Sequence, residues 1–370
     1  MTERNQITAI QVLRGLAAVM VVFHHFAMSV SAYHRSPSVI ATSGLGDLGA
    51  AGVDIFFVIS GFIMCFTRKT ESSGVSGAFD FLRKRFIRIY PLYWFWTTVL
   101  LLMWGLSIAL KSEEIKAPFV VSSYLLWPSA KHDGTMHPLL DQGWTLSFEI
   151  YFYLFFAVAI AFGFRRMLLI FLIAVFGALA LIADPAYLPS GAAYLFRSPL
   201  IVEFLLGVAA AQLVLRLRGV GLTLRSRCST VLLIAGPACL LATTLLSPDQ
   251  NRVLVWGVPS FMIVVGAALN DFAHPVRSKF PIFLGDASYS IYLTHGFFTL
   301  AAGTVMKKVA ATQSVPPDAI VLIGSVVTVI LGSLTYPMVE KPLLKFVRGL
   351  FHSAESPNAL PVRSQVNAGP

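Results

Sequence analysis

Residues 8–30 read TAIQVLRGLAAVMVVFHHFAMSV. As a helix, 23 residues rise about 34 Å, enough to cross the roughly 30 Å hydrocarbon core of a bilayer. The run contains three ionisable side chains, Arg14, His24 and His25, in a setting where such groups are costly and commonly functional. Runs of the same kind recur at roughly 50–67, 89–110, 143–164, 167–183, 198–215, 229–246, 253–270, 281–302 and 319–338. The spacing predicts an all-α polytopic membrane protein of about ten transmembrane helices.

Composition agrees with that reading. Of 370 residues, 56% are hydrophobic and 12% charged, about half the charge of a soluble domain, and the mean hydropathy is +0.74. Short alternating segments of the outer-membrane barrel type are absent. The net charge of +10 would suggest nucleic acid on a soluble protein, but the placement of the charges answers it differently. With an even number of spans, 19 of the 28 Lys and Arg fall on one side and 8 on the other, and Arg14 lies inside the first span. The positive-inside rule then places both termini in the cytoplasm. Nucleic acid is not an expected partner. Cys65, Cys228 and Cys239 have neither disulfide nor metal spacing and read as small apolar residues.

Val30-Ser31-Ala32 has the small-residue character of a signal-peptidase site. His24 and His25 are unusual in a signal core, and the basic loop after the second run places Met1 inside without cleavage. Residues 1–348 are expected to form one membrane domain and residues 349–370 a disordered cytoplasmic tail. The stretch 111–142 is the longest outer loop, and Trp127, Pro128 and His137-Pro138 suggest a structured interfacial segment.

Arg14 and His25 are eleven positions apart, three helical turns plus about 20°, so they share one face at roughly 16 Å separation. Arg14 falls near the cytoplasmic end and His25 in the outer half. Glu149 lies about two turns into the fourth run, close to the expected depth of His25, where the two could form a base and its orienter. Asp54 opens the second run. Ser288, Tyr289, Ser290, Tyr292, Thr294 and His295 lie in the ninth. Plainer roles compete with these. Glu149 could clamp two helices, Asp54 could cap one, His25 could be structural and bonded to a neighbouring backbone carbonyl, His24 could be structural, Tyr292 and His295 could be packing and hydrogen-bonding residues, and Arg83 to Arg88 could be ordinary anchors.

The residues resemble the acyltransferase 3 family of bacterial membrane O-acyltransferases over roughly 5–342. The resemblance rests on Arg14 and His25 as an Arg-x10-His pair, on Gly52 to Phe62, on Arg85-Phe86-Ile87-Arg88 and on Gly143 to Leu154. Ser288 to His295 and Val339-Glu340-Lys341-Pro342 complete it, all in the same order. Ile150 stands where many members carry a second acid, and Gln11 stands where many carry Asp. In this the chain looks most like exopolysaccharide O-acetyltransferases.

The resemblance implies acetyl-CoA as co-substrate, with no permanently bound cofactor and no metal, and a carbohydrate hydroxyl, free or lipid-linked, as acceptor. It further implies a multi-pass place in the bacterial inner membrane, among its lipids and with polysaccharide assembly proteins as further partners. Arg14, Arg85 and Arg88 are then expected to hold the donor phosphates. His25 is expected as general base, Glu149 as its catalytic partner, and Asp54, Trp144, Tyr292 and His295 as acceptor-side residues. Transient acyl transfer to His25 or Tyr292 is a variant of the same scheme. No Gly-x-Ser-x-Gly elbow is present. A transporter or flippase with a polar path, or a structural partner in an export complex, remains the rival reading.

Overall fold

The computed structural model describes residues 7–68, 73–110, 115–131, 134–164, 167–184, 186–246 and 251–354. No strand occurs among the described residues. The chain begins with α1 (Thr8–Tyr33), the short α2 (Val39–Thr42) and α3 (Leu45–Leu48), α4 (Ala51–Thr67) and α5 (Gly74–Gly105). Then come α6 (Ala117–Tyr124), α7 (Gly143–Ala161), α8 (Leu168–Ile182), α9 (Ser190–Arg197), α10 (Leu200–Leu217) and α11 (Leu222–Leu246). A π-helical turn, Val253–Gly257, leads into α12 (Val258–Asp271), followed by α13 (Lys279–Lys308) and α14 (Pro317–Thr335). A second π-helical turn, Tyr336–Glu340, joins α14 to α15 (Lys341–Ala354).

Each of the ten expected runs corresponds to a helix. Among the described residues, eight segments are long and apolar enough to cross a membrane. The other two are α8, of 15 residues, and α13, which has 30 residues but a polar middle from Ser288 to His295. Its polar groups are buried against α1, α7 and α14 rather than turned to lipid. α5 starts at Gly74, well before the run expected from 89, because its first turns carry Arg83, Lys84, Arg85 and Arg88 and so escape a hydropathy reading. α15 continues to Ala354, past the expected domain boundary at 348; residues 355–370 lie outside the described residues.

Large apolar side chains on the outer helices face outward. Leu181, Ile182, Val231, Ile234, Leu322 and Ile323 are all exposed. A surface of this kind suits hydrocarbon, where helices associate through close packing rather than exclusion of water. Small residues provide that packing. Gly15 of α1 lies against Leu284 and Gly285 of α13, and a Cβ on Gly285 would strike the Gln11 carbonyl. Gly61 of α4 meets Phe204 of α10 in the same way. α1 thus runs centrally and parallel to α13, with α4, α12 and α14 around it. Its first turn is capped by Asp271, whose carboxylate accepts from the backbone N–H of Thr8 (3.0 Å) and Ala9 (2.9 Å).

The stretch 111–142 is partly structured in its described residues, as its Trp and Pro content suggested. The Tyr93 hydroxyl donates to the Ser123 carbonyl at 2.7 Å, the Trp94 indole donates to the Tyr124 carbonyl at 2.8 Å, and Leu139 N–H donates to Ser123 Oγ at 2.9 Å. These bonds hold α6 against the outer half of α5.

Candidate active site

α1, α4, α5, α7 and α13 enclose a cavity of about 350 Å³. Its arginine end is formed by Arg14 of α1 with Arg85 and Arg88 of α5. Helical spacing explains the grouping: Arg85 and Arg88, three positions apart, share the face of α5 turned to α7 and α13. Arg14 donates one bond, at 3.2 Å, to Gln11, which in turn donates to Asp286 at 2.6 Å. The Arg85 guanidinium lies over the rings of Phe81 (5.2 Å) and Tyr153 (5.4 Å), and its buried Nε has no hydrogen-bond partner. Among the described residues, none of these three arginines forms an ion pair with a carboxylate.

Glu149 lines the same cavity. Its carboxylate accepts from Ser60 Oγ at 2.8 Å and from the Tyr153 hydroxyl one turn away. Ser60, Glu149, Tyr153 and Arg85 therefore form a polar chain along the wall. The expected bond between Glu149 and His25 is not present. Rotation about the helix axis turns the carboxylate toward Ser60 of α4 and the arginine wall, so Glu149 and His25 do not meet.

Phe56, Thr145 and Tyr292 stand at the outer end of the cavity. The Tyr292 hydroxyl donates to the Gln142 carbonyl at 3.1 Å and pairs with Thr145 Oγ1 at 2.7 Å, and its ring meets Phe56 edge-on at 5.9 Å. His25 lies beyond this layer and does not line the cavity that Arg14 lines. Its Nδ1 donates to the Val21 carbonyl at 2.9 Å, and its ring centroid is 4.7 Å from that of His295 and 5.4 Å from that of His24. A carbonyl can only accept, so Nδ1 carries the proton and Nε2 keeps a free lone pair. His295 is fixed likewise, its Nδ1 donating to the Tyr292 carbonyl. His24 turns away, with Nδ1 on the Gly46 carbonyl at 3.0 Å.

The remaining expected acceptor-side residues separate. Asp54 is fully buried, away from the cavity, and receives two bonds from Arg252 at 3.0 and 2.8 Å. It does not cap α4. The Arg252 guanidinium also covers the Trp256 ring at 4.8 Å, and Asp54 raises the affinity of Arg252 for its proton against the opposing effect of burial. Glu203, fully buried beside this pair, has neither carboxylate oxygen bonded. Trp144 stacks on His137 at 5.6 Å beside Asp141, which accepts from Lys131 at 2.7 Å and from His137 at 3.0 Å. Burial opposes ionisation of Asp141, but these two donors hold its carboxyl below the usual carboxylate range.

Sequence reasoning gave no role to Ser60, Tyr153, Ser288, Arg252 or Glu340, although Ser288 and Glu340 lay in quoted motifs. Ser60 lay within a quoted motif, and Tyr153 is one turn after Glu149, so both carried a local signal. Ser288 lines the cavity with its buried hydroxyl unbonded. Glu340 is buried in the second π-helical turn and accepts from Ser290 Oγ at 2.6 Å. Arg252 read as one more charge of an outer loop.

Residues 7–336 match the family model described as "Acyltransferase domain". The chain is similar to the "Exopolysaccharide production protein ExoZ" of Rhizobium meliloti (strain 1021), with 31% identity over 300 residues, covering 80% of this chain and 90% of that protein. No solved structure matches significantly.

Proposed function

Because the chain belongs to the acyltransferase family whose model covers residues 7–336, we propose that it is a membrane O-acyltransferase acting in exopolysaccharide production. It takes an acetyl or similar short acyl group from acyl-CoA and places it on a sugar hydroxyl of an exopolysaccharide or cell-surface saccharide. It sits in the bacterial inner membrane with both termini cytoplasmic, so that the arginine end of the cavity faces the cytosolic donor.

The observation that carries the donor assignment is the set of three guanidinium groups, Arg14, Arg85 and Arg88, lining one cavity without a paired carboxylate. Three guanidinium groups outnumber the two carboxylates that act on them, Glu149 and Glu340, so a further anion balances the site, and guanidinium binds phosphate oxygens two at a time. The phosphates of CoA provide those oxygens. The cavity above the arginines is narrow and walled by Ile59, Phe57 and Leu146, which suits a thin pantetheine arm reaching toward Tyr292.

His25 Nε2 then removes the proton from the acceptor hydroxyl. The hydroxyl oxygen attacks the thioester carbonyl, the carbon–sulfur bond breaks, and the thiolate leaves with the proton from His25. The fixed Nδ1–H of His25 supports this role because it leaves Nε2 unprotonated in the resting state. Glu149 acts at the donor end, where it orders Ser60, Tyr153 and the arginine wall.

The test is transfer of labelled acetyl from acetyl-CoA to a lipid-linked saccharide extract by the purified protein in nanodiscs. Label in a saccharide supports the reading. Measured binding of acetyl-CoA without transfer rejects the acceptor assignment. Absence of binding rejects the donor assignment and returns the transporter reading, which an uptake assay in liposomes then decides.

A further inference from the structure

The reading of His25 as base leaves its partner unassigned, since Glu149 is bonded elsewhere. We propose that His295 is the positioning partner of His25, an imidazole that accepts and shares the proton His25 takes from the acceptor hydroxyl. The inference rests on the base role of His25 and extends it to a second residue of α13.

Three observations carry it. His295 is fully buried, and its Nε2 has no hydrogen-bond partner. Buried polar atoms are nearly always satisfied, so an empty lone pair in the middle of a helical bundle marks a group waiting for a donor. The tautomer is set by the backbone: Nδ1–H is committed to the Tyr292 carbonyl, so Nε2 can only accept. The ring in contact with it is His25, at 4.7 Å between centroids and an interplanar angle of 60°. Both neutral imidazoles thus offer a lone pair and neither has a second N–H to give. Protonation of His25 at Nε2 supplies the missing donor.

The surroundings suit a proton that stays only briefly. The titratable groups near the pair are His24 on α1, Tyr292 on α13 and Asp141 just before α7. The Tyr292 hydroxyl is occupied by Gln142 and Thr145, and the ring of His24 is tied to the Gly46 carbonyl. Neither competes for the lone pair of His295. Asp141, just before α7, is engaged by Lys131 and His137 and does not bond either imidazole. The proton balance is closed. The acceptor O–H breaks, the proton bridges Nε2 of His25 and Nε2 of His295, the oxygen–carbon bond forms as the carbon–sulfur bond breaks, and the thiolate recovers the proton. His295 gains none in the cycle.

The test reads His25 directly. Full-length protein in nanodiscs is treated with diethylpyrocarbonate between about pH 5 and 8, the range in which imidazoles titrate, and modification at His25 is followed by peptide mass spectrometry. Wild type, His295→Phe and His295→Gln are compared. Loss of a hydrogen bond to a charged group moves a titration by about one pH unit, so the half-reactive pH of His25 falls by that amount in His295→Phe. The kcat for acetyl transfer falls with it at an unchanged KM for acetyl-CoA. His295→Gln, whose amide oxygen accepts an N–H, recovers part of both.

An unchanged half-reactive pH in His295→Phe overturns the proposal and leaves His295 as packing. If His295→Phe fails to fold, His295→Leu, which also lacks an acceptor, carries the same test, and an unchanged half-reactive pH there overturns the proposal too. A shift in His25 reactivity without acetyl transfer by wild type keeps the pair and rejects the base reading.

Discussion

Ser60 of α4 donates a 2.8 Å hydrogen bond to Glu149 of α7, across the wall of the cavity that Arg14, Arg85 and Arg88 enter. This bond ties Glu149 to the arginine end of the cavity and separates it from His25. Two working groups expected to meet are thereby divided between two layers, with Tyr292, Thr145 and Phe56 between them.

Glu149→Ala leaves Ser60 and Tyr153 without their acceptor. A buried group left unsatisfied costs about 1–3 kcal/mol, so this variant melts at a lower temperature than wild type. Glu149→Gln keeps an acceptor oxygen in place and melts close to wild type. Thermal unfolding in nanodiscs checks both, and equal melting of Glu149→Ala and wild type counts against the hydrogen-bonded wall.

Charge reversal at the arginine end strikes donor binding. Arg85→Glu or Arg88→Glu each weakens acetyl-CoA binding by about tenfold or more, the size of one lost charge-assisted contact. The KM for the saccharide stays near its wild-type value. Equilibrium binding of labelled acetyl-CoA measures the first and steady-state kinetics the second. An equal loss on both sides would mean a damaged fold.

Asp54, buried, and Arg252, half-buried, form the ion pair that fixes the turn before α12 against α4. Arg252→Ala leaves Asp54, which is 0% exposed, beside the unbonded Glu203, and costs about 3 kcal/mol or more. Glu203→Gln keeps a side chain of the same size beside Asp54 with no carboxyl to bury, and leaves stability equal or higher. Melting temperatures of the two variants should therefore move in different directions or differ widely.

Asp141 gives a pH dependence at the outer end. Its folded carboxyl is held below the usual range, so its contribution is complete above the unfolded value of about 4 and is lost as pH falls through the lower folded value. The Trp144–His137 stack beside it should persist from neutral pH down to about pH 4 and loosen only below that. Asp141→Asn loosens it throughout. Trp144 fluorescence, in a background in which the other five tryptophans are replaced by phenylalanine, records the difference.

The helices were readable because hydropathy and length are local properties, and each of the ten runs is a helix. Their limits were less readable where charge extends a helix below the membrane, as at Gly74 to Arg88, or where a buried helix such as α13 has a polar middle. For the site, Arg14, Arg85, Arg88, Glu149 and Tyr292 were identifiable through the family resemblance, and all five line one cavity. Their pairing was not. Which face of α7 carries Glu149 toward which neighbour depends on helix rotation, and Asp54 meets Arg252 across 198 positions. The contact of His25 with His295 follows from the parallel packing of α1 and α13, set by Gly15 and Gly285, which no single helix reveals.

The central claim is that His25 performs the chemistry while the arginines hold the donor. The most direct measurement compares wild type with His25→Ala for acetyl-CoA binding and for labelled acetyl transfer to a lipid-linked saccharide, both in nanodiscs. The account predicts equal binding by the two proteins and label in the saccharide with wild type alone. Near-normal transfer by His25→Ala would contradict it.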